Sequence, residues 1–164
     1  MDARSFNHAR LLALLLPGAL MAGALGSQYW GGLYPCEMCH WQRWPHYAAI
    51  ALAALSFVVP GGQGVRKILV ALAAFAILTS GAIGVFHAGV EYHWWEGLTA
   101  CSTTISGSGG SVEDMLARVM AAPIVRCDAA QWRLFGISLA GYNALFSLGG
   151  AAIITALMLR KRPA

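Results

Sequence analysis

Four stretches of this chain carry no charged residue: 11–26, 47–60, 68–87 and 134–159. A helix needs about 20 apolar residues to cross roughly 30 Å of hydrocarbon, and the third and fourth stretches satisfy that directly. The first reaches that length if it runs to Trp30. The second does so by extending back to Trp41, which places Trp41, Trp44 and Tyr47 near one end, where amphipathic rings favour the headgroup level. Crossing helices are therefore expected at about 11–30, 41–60, 68–87 and 134–159. Composition agrees: 58% of the residues are hydrophobic and 11% charged, against about 25% charged in ordinary soluble domains. Too little polar surface exists for a water-facing globule or a nucleic-acid-binding surface, and 164 residues allow a single domain.

The basic residues are sorted by side. Arg4, Arg10, Arg66, Lys67, Arg160, Lys161 and Arg162 fall in the two tails and the second connection, which an even number of crossings puts on one face. Asp2 is the lone acid there. The positive-inside bias makes that face cytoplasmic, with both termini inside. The opposite face takes Arg43, Arg118, Arg126 and Arg133, six acidic residues and all four cysteines. Residues 4–26 also fit a cleaved signal peptide, with a basic start, an apolar run and the small cluster Ala22-Gly23-Ala24. Against that stands a four-residue spacing of small residues at Gly18, Ala22 and Gly26. Similar stripes at Ala76, Ser80, Gly84 and Ala88, and at Gly136, Ala140 and Ala144, point to closely packed helices. The expected fold class is an all-α membrane protein, a four-helix transmembrane bundle.

Two outer connections remain, about 28–43 and 88–133. The second contains a Gly/Ser-rich linker at 106–110. Ser111 and Asp114 then resemble a capping pair ahead of Val112, Met115, Leu116, Val119 and Met120, which recur at helical spacing. That pattern predicts a short amphipathic helix along the membrane surface. His93, Trp94 and Trp95 read as part of an interfacial belt.

Cys36 and Cys39 form a C-x-x-C, while Cys101 and Cys127 stand apart in the long loop. Four cysteines on an oxidising face suggest disulfides, and spacing alone leaves three connectivities open. A bridge between Cys101 and Cys127 could simply steady a loop that has no core. The tighter pair points to thiol exchange, because a small strained ring adds little stability. Arg43 follows Cys39 by four residues, one turn away if a helix starts near Pro35, and a cation there stabilises thiolate. Pro45 allows a different start near Trp44. The string Cys36-Glu37-Met38-Cys39-His40 also reads as a c-type haem attachment site, with His40 as axial ligand, which would make a membrane-anchored cytochrome. A third alternative is a non-enzymatic scaffold stapled by disulfides. The second pair lacks the close spacing of a zinc knuckle, and no metal is expected.

Tyr34-Pro35-Cys36-x-x-Cys39 with Arg43-Trp44 after it, a second pair in a long outer loop, and Arg126-Cys127-Asp128 leading into Gln131-Trp132 and Phe135-Gly136 together resemble the bacterial disulfide bond formation protein B family, DsbB. The resemblance spans roughly residues 11–159. It implies a thiol:quinone oxidoreductase of the inner membrane that reoxidises a periplasmic DsbA-like thiol oxidase and passes the electrons to the membrane quinone pool, ubiquinone or menaquinone; this relay is also a standard periplasmic example. Carried over to this chain, Cys101 is the sulfur attacked by the reduced partner, freeing Cys127, which attacks Cys36. Cys39 is left as the thiolate facing quinone, with Arg43 beside it. His87 corresponds to a quinone-side histidine with a one-residue gap. A quinone reductase of the vitamin K epoxide reductase type would share this chemistry, but its motif typically lies later in the chain.

Overall fold

A computed structural model describes residues 3–60, 62–97, 102–103 and 124–160, together with 111, 113 and 116. Four long helices dominate these residues: α1 (Ala3–Tyr29), α2 (Glu37–Val58), α3 (Gln63–Glu91) and α4 (Leu139–Leu159). Two short antiparallel pairs join them on the cysteine side. Strand β1 (Ser102–Thr103) pairs with β2 (Ile124–Val125), and β3 (Arg133–Leu134) pairs with β4 (Ile137–Ser138). Helices α1, α3 and α4 are each long and apolar enough to cross a membrane. Helix α2 is more polar, because Glu37, His40, Gln42, Arg43 and His46 occupy its first half.

The helices fit together through small side chains. Ala9 and Ala13 of α1, Ala49 and Ala53 of α2, Val70, Ala73 and Ile77 of α3, and Ala151 and Ile154 of α4 form one buried core. The expected stripe on α3 is part of that interface: a Cβ on Gly84 would stand 3.0 Å from Ala144 N and 3.1 Å from Ala140 O. Only a residue without a side chain lets α3 and α4 approach that closely. Gly150 likewise leaves room for Leu16 of α1. The stripe expected on α1 is a correction. A Cβ on Gly18 meets nothing within 4 Å, and the buried line is Ala9, Ala13, Pro17 and Met21, with the same period on an adjacent face. At the end of the bundle away from the cysteine pair Arg10 joins α1 to α2, its Nη2 donating to Ser56 O at 2.7 Å while its guanidinium lies 4.0 Å over the Phe57 ring.

Several expected boundaries move. Helix α1 starts at Ala3, ahead of residue 11, and α2 takes up residues 37–43, so the connection between them shrinks to 30–36. Helix α3 continues to Glu91, and the second connection runs from 92 to 138. The fourth span begins at Leu139 and not at 134, because Phe135 (φ 50°) and Gly136 (φ 78°) both adopt left-handed backbone and turn the chain into the β3–β4 hairpin. Two successive positive φ values suit a tight hairpin turn. Gly136 is therefore a turn residue outside the helical stripe. Tyr92 pins the hairpin, its hydroxyl donating to Gly136 O at 2.8 Å and accepting from Ser138 N at 3.0 Å. Ser138 then caps α4 by accepting from Gly141 N at 3.1 Å. Cys101, the 106–110 linker and most of the surface helix expected over 111–120 lie outside the described residues.

Candidate active site

Helix α2 begins at the cysteine pair. Cys36 is its N-cap, with extended backbone (φ −76°, ψ 173°), and its Sγ accepts from Cys39 N at 3.2 Å. Sulfur thus does what a Ser or Asp oxygen does at other helix starts. Pro45 sits inside α2 without displacing that start. The two sulfurs lie 2.6 Å apart, Cys36 buried and Cys39 half-buried.

Cys127 reaches the same place from the long loop. Its Sγ, the Cys36 Sγ and a ring nitrogen of His87 all lie within 4.8 Å of one another. Two features hold it there. Ser102 pairs with Val125, two residues ahead of Cys127, and Gln131 Nε2 donates to Tyr34 O at 2.5 Å, tying the segment after Cys127 to the one before Cys36. Met38, Val90 and Val125 close an apolar shell around the sulfurs. Outside it, Arg126 Nε donates to Asp128 Oδ1 at 2.8 Å and holds that exposed carboxyl at about 2.

The two sulfurs of the C-x-x-C are not equivalent. The Cys36 thiol is pushed up, because it is hydrogen-bonded to Cys127 and Cys39 and is buried. Cys39, in the first turn of α2 and ahead of Trp41, is pulled down, chiefly by the hydrogen bond from Cys36. Negative charge therefore belongs on Cys39. The start of a helix favours the same sign.

His87 and Arg43 flank this pair. His87 is 2% exposed, with Nε2 3.5 Å from Cys36 Sγ and 3.8 Å from Glu91 Oε1. Its Nδ1 lies 2.7 Å from Gln42 Nε2. Arg43 is buried against α1, donating from Nη1 to Gln28 Oε1 at 2.6 Å and from Nη2 to Ala24 O at 3.2 Å. A guanidinium has five N–H donors, so two such bonds leave it capacity for another acceptor. Cys36, Cys39, Arg43 and His87 border one cleft of about 1060 Å³ including its open mouth, walled on the apolar side by Ala19, Leu20, Met21 and Ala24 of α1 and by Leu139 and Phe146 of α4.

Sequence reasoning passed over Gln42, His46, Ser80, Glu91 and Asn143. Asn143 Nδ2 donates to Gln42 Oε1 at 2.8 Å, His46 Nε2 meets Asn143 Oδ1 at 2.8 Å, and Ser80 Oγ donates to Gln42 O at 2.8 Å. The available signal was the rarity of such residues in apolar spans, where a polar side chain is expensive and marks a site by default. Chemically, the assembly offers a thiol pair in contact with a third thiol, a buried imidazole beside them, and a cleft with a cationic guanidinium in its wall. Cys36, Cys127 and His87 are also a donor set that a thiophilic metal could use.

Comparison with known proteins places this geometry in a family. The family described as Disulfide bond formation protein DsbB matches residues 6–157. Disulfide bond formation protein B of Chromohalobacter salexigens is 28% identical over 165 residues, covering 91% of this chain and 94% of that protein. The protein of the same name from Xanthomonas oryzae pv. oryzae is 26% identical over 151 residues, 88% of this chain and 86% of its own length. An uncharacterized protein of Rickettsia prowazekii is 24% identical over 115 residues, which is 70% of this chain and 65% of that relative. No solved structure matches. With a multi-pass helical architecture and the family's match running through both described cysteine segments, the chain belongs to the DsbB family of disulfide bond formation proteins.

Proposed function

We propose that this protein is a thiol:quinone oxidoreductase of the bacterial inner membrane, which reoxidises a periplasmic DsbA-like dithiol oxidase and delivers the electrons to ubiquinone or menaquinone. In this reading α2 crosses the bilayer with the other three helices, both termini are cytoplasmic and the cysteines are periplasmic. One observation carries it: sulfurs from two separate segments, Cys36 and Cys127, approach within 4.8 Å of each other, and Cys36 borders a cleft with an apolar wall. A stapled scaffold needs no such meeting of its two pairs. The haem alternative fits less well, because His40 is exposed while both sulfurs turn toward a buried contact.

The residues present suit a quinone. The cleft has a cationic donor in Arg43 and an apolar wall for an isoprenoid tail, the usual character of a small-molecule site. When bound, a quinone supplies a two-electron, two-proton acceptor. The chain's own part is the exchange. A thiolate of the reduced partner attacks Cys101 of a Cys101–Cys127 disulfide, forming a mixed disulfide with Cys101 as the Cys101–Cys127 bond breaks and Cys127 leaves as thiolate. Cys127 Sγ attacks Cys36 Sγ, forming the Cys127–Cys36 bond as the Cys36–Cys39 bond breaks, and the electron pair leaves on Cys39. Cys39 is the better leaving group of the two, being the sulfur whose pKa is lowered. Arg43 orients the acceptor, and the shell of Met38, Val90 and Val125 excludes water from the sulfurs.

The test is catalytic oxidation of a reduced DsbA-like protein by the pure protein with added quinone. We expect turnover that requires quinone and disappears in Cys101→Ser. Oxidation that proceeds equally without quinone, or survives that substitution, overturns the reading.

A further inference from the structure

The hydrogen bonds beneath the sulfurs have a fixed direction. A backbone carbonyl can only accept, so the two carbonyls in contact with the network decide which way its amides face. Met38 O lies 3.2 Å from Gln42 Nε2, and Ser80 O lies 3.2 Å from Asn143 Nδ2. Each carbonyl must meet an N–H. Oriented this way, Asn143 donates to Gln42 Oε1 and accepts on its own Oδ1 from Ser147 Oγ and His46 Nε2. Gln42 is thus held at both ends, its nitrogen by Met38 O and its oxygen by Asn143. That nitrogen faces His87 Nδ1 at 2.7 Å. A donor opposite Nδ1 requires a lone pair there, so the neutral ring carries its hydrogen on Nε2, on the side of Cys36 Sγ, Glu91 and the Cys127 backbone.

We propose that Gln42 is a positioning residue that holds His87 as an N–H donor to Cys36 Sγ and so keeps the Cys36, Cys127 and His87 cluster a thiol-exchange site that resists divalent thiophilic metals. All three groups are buried within 4.8 Å of one another, and sulfur with imidazole is the common donor set for zinc. Coordination through Nε2 needs the lone pair on that atom and moves the hydrogen to Nδ1, where it would confront the Gln42 N–H. Rotating the Gln42 amide relieves that clash and breaks its bonds to Met38 O and Asn143. Metal-binding histidines ordinarily present the second N–H to a carboxylate, carbonyl or water; here a donor occupies the place of that acceptor.

The experiment uses the full chain, reduced, in detergent micelles with histidines labelled with nitrogen-15. We expect His87 protonated on Nε2 and bare on Nδ1. In Gln42→Glu the carboxylate accepts, the hydrogen moves to Nδ1, and the reduced protein binds Zn²⁺ about 10- to 100-fold more tightly than the parent in competition with a chromophoric chelator. Gln42→Met removes the donor without adding charge, and should raise zinc affinity by a smaller factor and mix the tautomers. An Nδ1–H tautomer in the parent, or equal zinc affinity across the folded variants, overturns the proposal. Neither readout requires a quinone, so a failure to reduce quinone would contradict the proposed function and leave this assignment standing.

Discussion

The close approach of α3 and α4 makes two glycine-to-alanine changes diverge in sign. Helix propensity alone favours alanine by about 1 kcal/mol at each. At Gly18 a Cβ meets nothing within 4 Å, so Gly18→Ala should stabilise the fold by about 0.5–1 kcal/mol. At Gly84 the new carbon would stand 3.0 Å from Ala144 N and 3.1 Å from Ala140 O, both backbone atoms that no rotamer change can move. The helices must part by a few tenths of an ångström, and such overpacking costs about 1–3 kcal/mol. Taking about 2 kcal/mol for that term, Gly84→Ala is a net loss of about 1 kcal/mol, and the two variants differ by roughly 2 kcal/mol, on the order of 30-fold in the folding equilibrium. Reversible unfolding in mixed detergent–SDS micelles, followed by tryptophan fluorescence, measures both. Parting α3 from α4 also strains the bonds from Asn143 to Ser80 and Gln42, so Gly84→Ala should slow thiol oxidation as well. If Gly84→Ala stabilises as much as Gly18→Ala, the packing argument is refuted.

Other consequences follow from the sulfurs and their supports. In the reduced protein, iodoacetamide should alkylate Cys39 with a midpoint below the ordinary thiol value of 9.0, and Cys36→Ala should move that midpoint up by removing the hydrogen bond that lowers it. Mapping by mass spectrometry reads both; an unchanged midpoint would count against the assigned asymmetry. Gln131→Ala loses the bond to Tyr34 O, worth about 1 kcal/mol, and should slow exchange between the cysteine pairs roughly five-fold in acid-quenched time courses, whereas equal rates would show that the tether is idle. Arg126→Ala should return Asp128 from about 2 to the ordinary carboxylate range in a carbon-13 NMR titration. Because that carboxyl is depressed in the folded chain, its pairing persists above the ordinary aspartate pKa and fades as pH falls through about 2.

Much of the architecture was legible because hydrocarbon imposes a length and a charge rule on every crossing helix. The charge-free stretches mark α1, α3, α4 and the second half of α2, whereas the start of α2 at Glu37 was one of two readings that the sequence left open. What escaped has specific physical causes. Both Gly18/Ala22/Gly26 and Ala9/Ala13/Pro17/Met21 repeat every four residues on α1, and periodicity cannot choose between adjacent faces without the partner helix. Residues 134–138 continue an apolar run, so the hairpin hid inside it. The positive φ of Phe135 is not encoded in that residue's type, and the Tyr92 contacts that pin the turn at Gly136 and Ser138 come from 44 and 46 positions away. Within the site, the cysteines and Arg43 announce themselves by spacing. Gln42 and Asn143 lie 101 positions apart in the chain, and nothing local to either indicates that one orients the other.

The most direct test isolates the step between sulfur and quinone. A Cys101→Ser, Cys127→Ser chain, reduced at Cys36 and Cys39 and mixed without oxygen with a soluble ubiquinone analogue, should lose two thiols for each quinone reduced. Thiols that stay reduced while quinone absorbance holds constant would contradict the account.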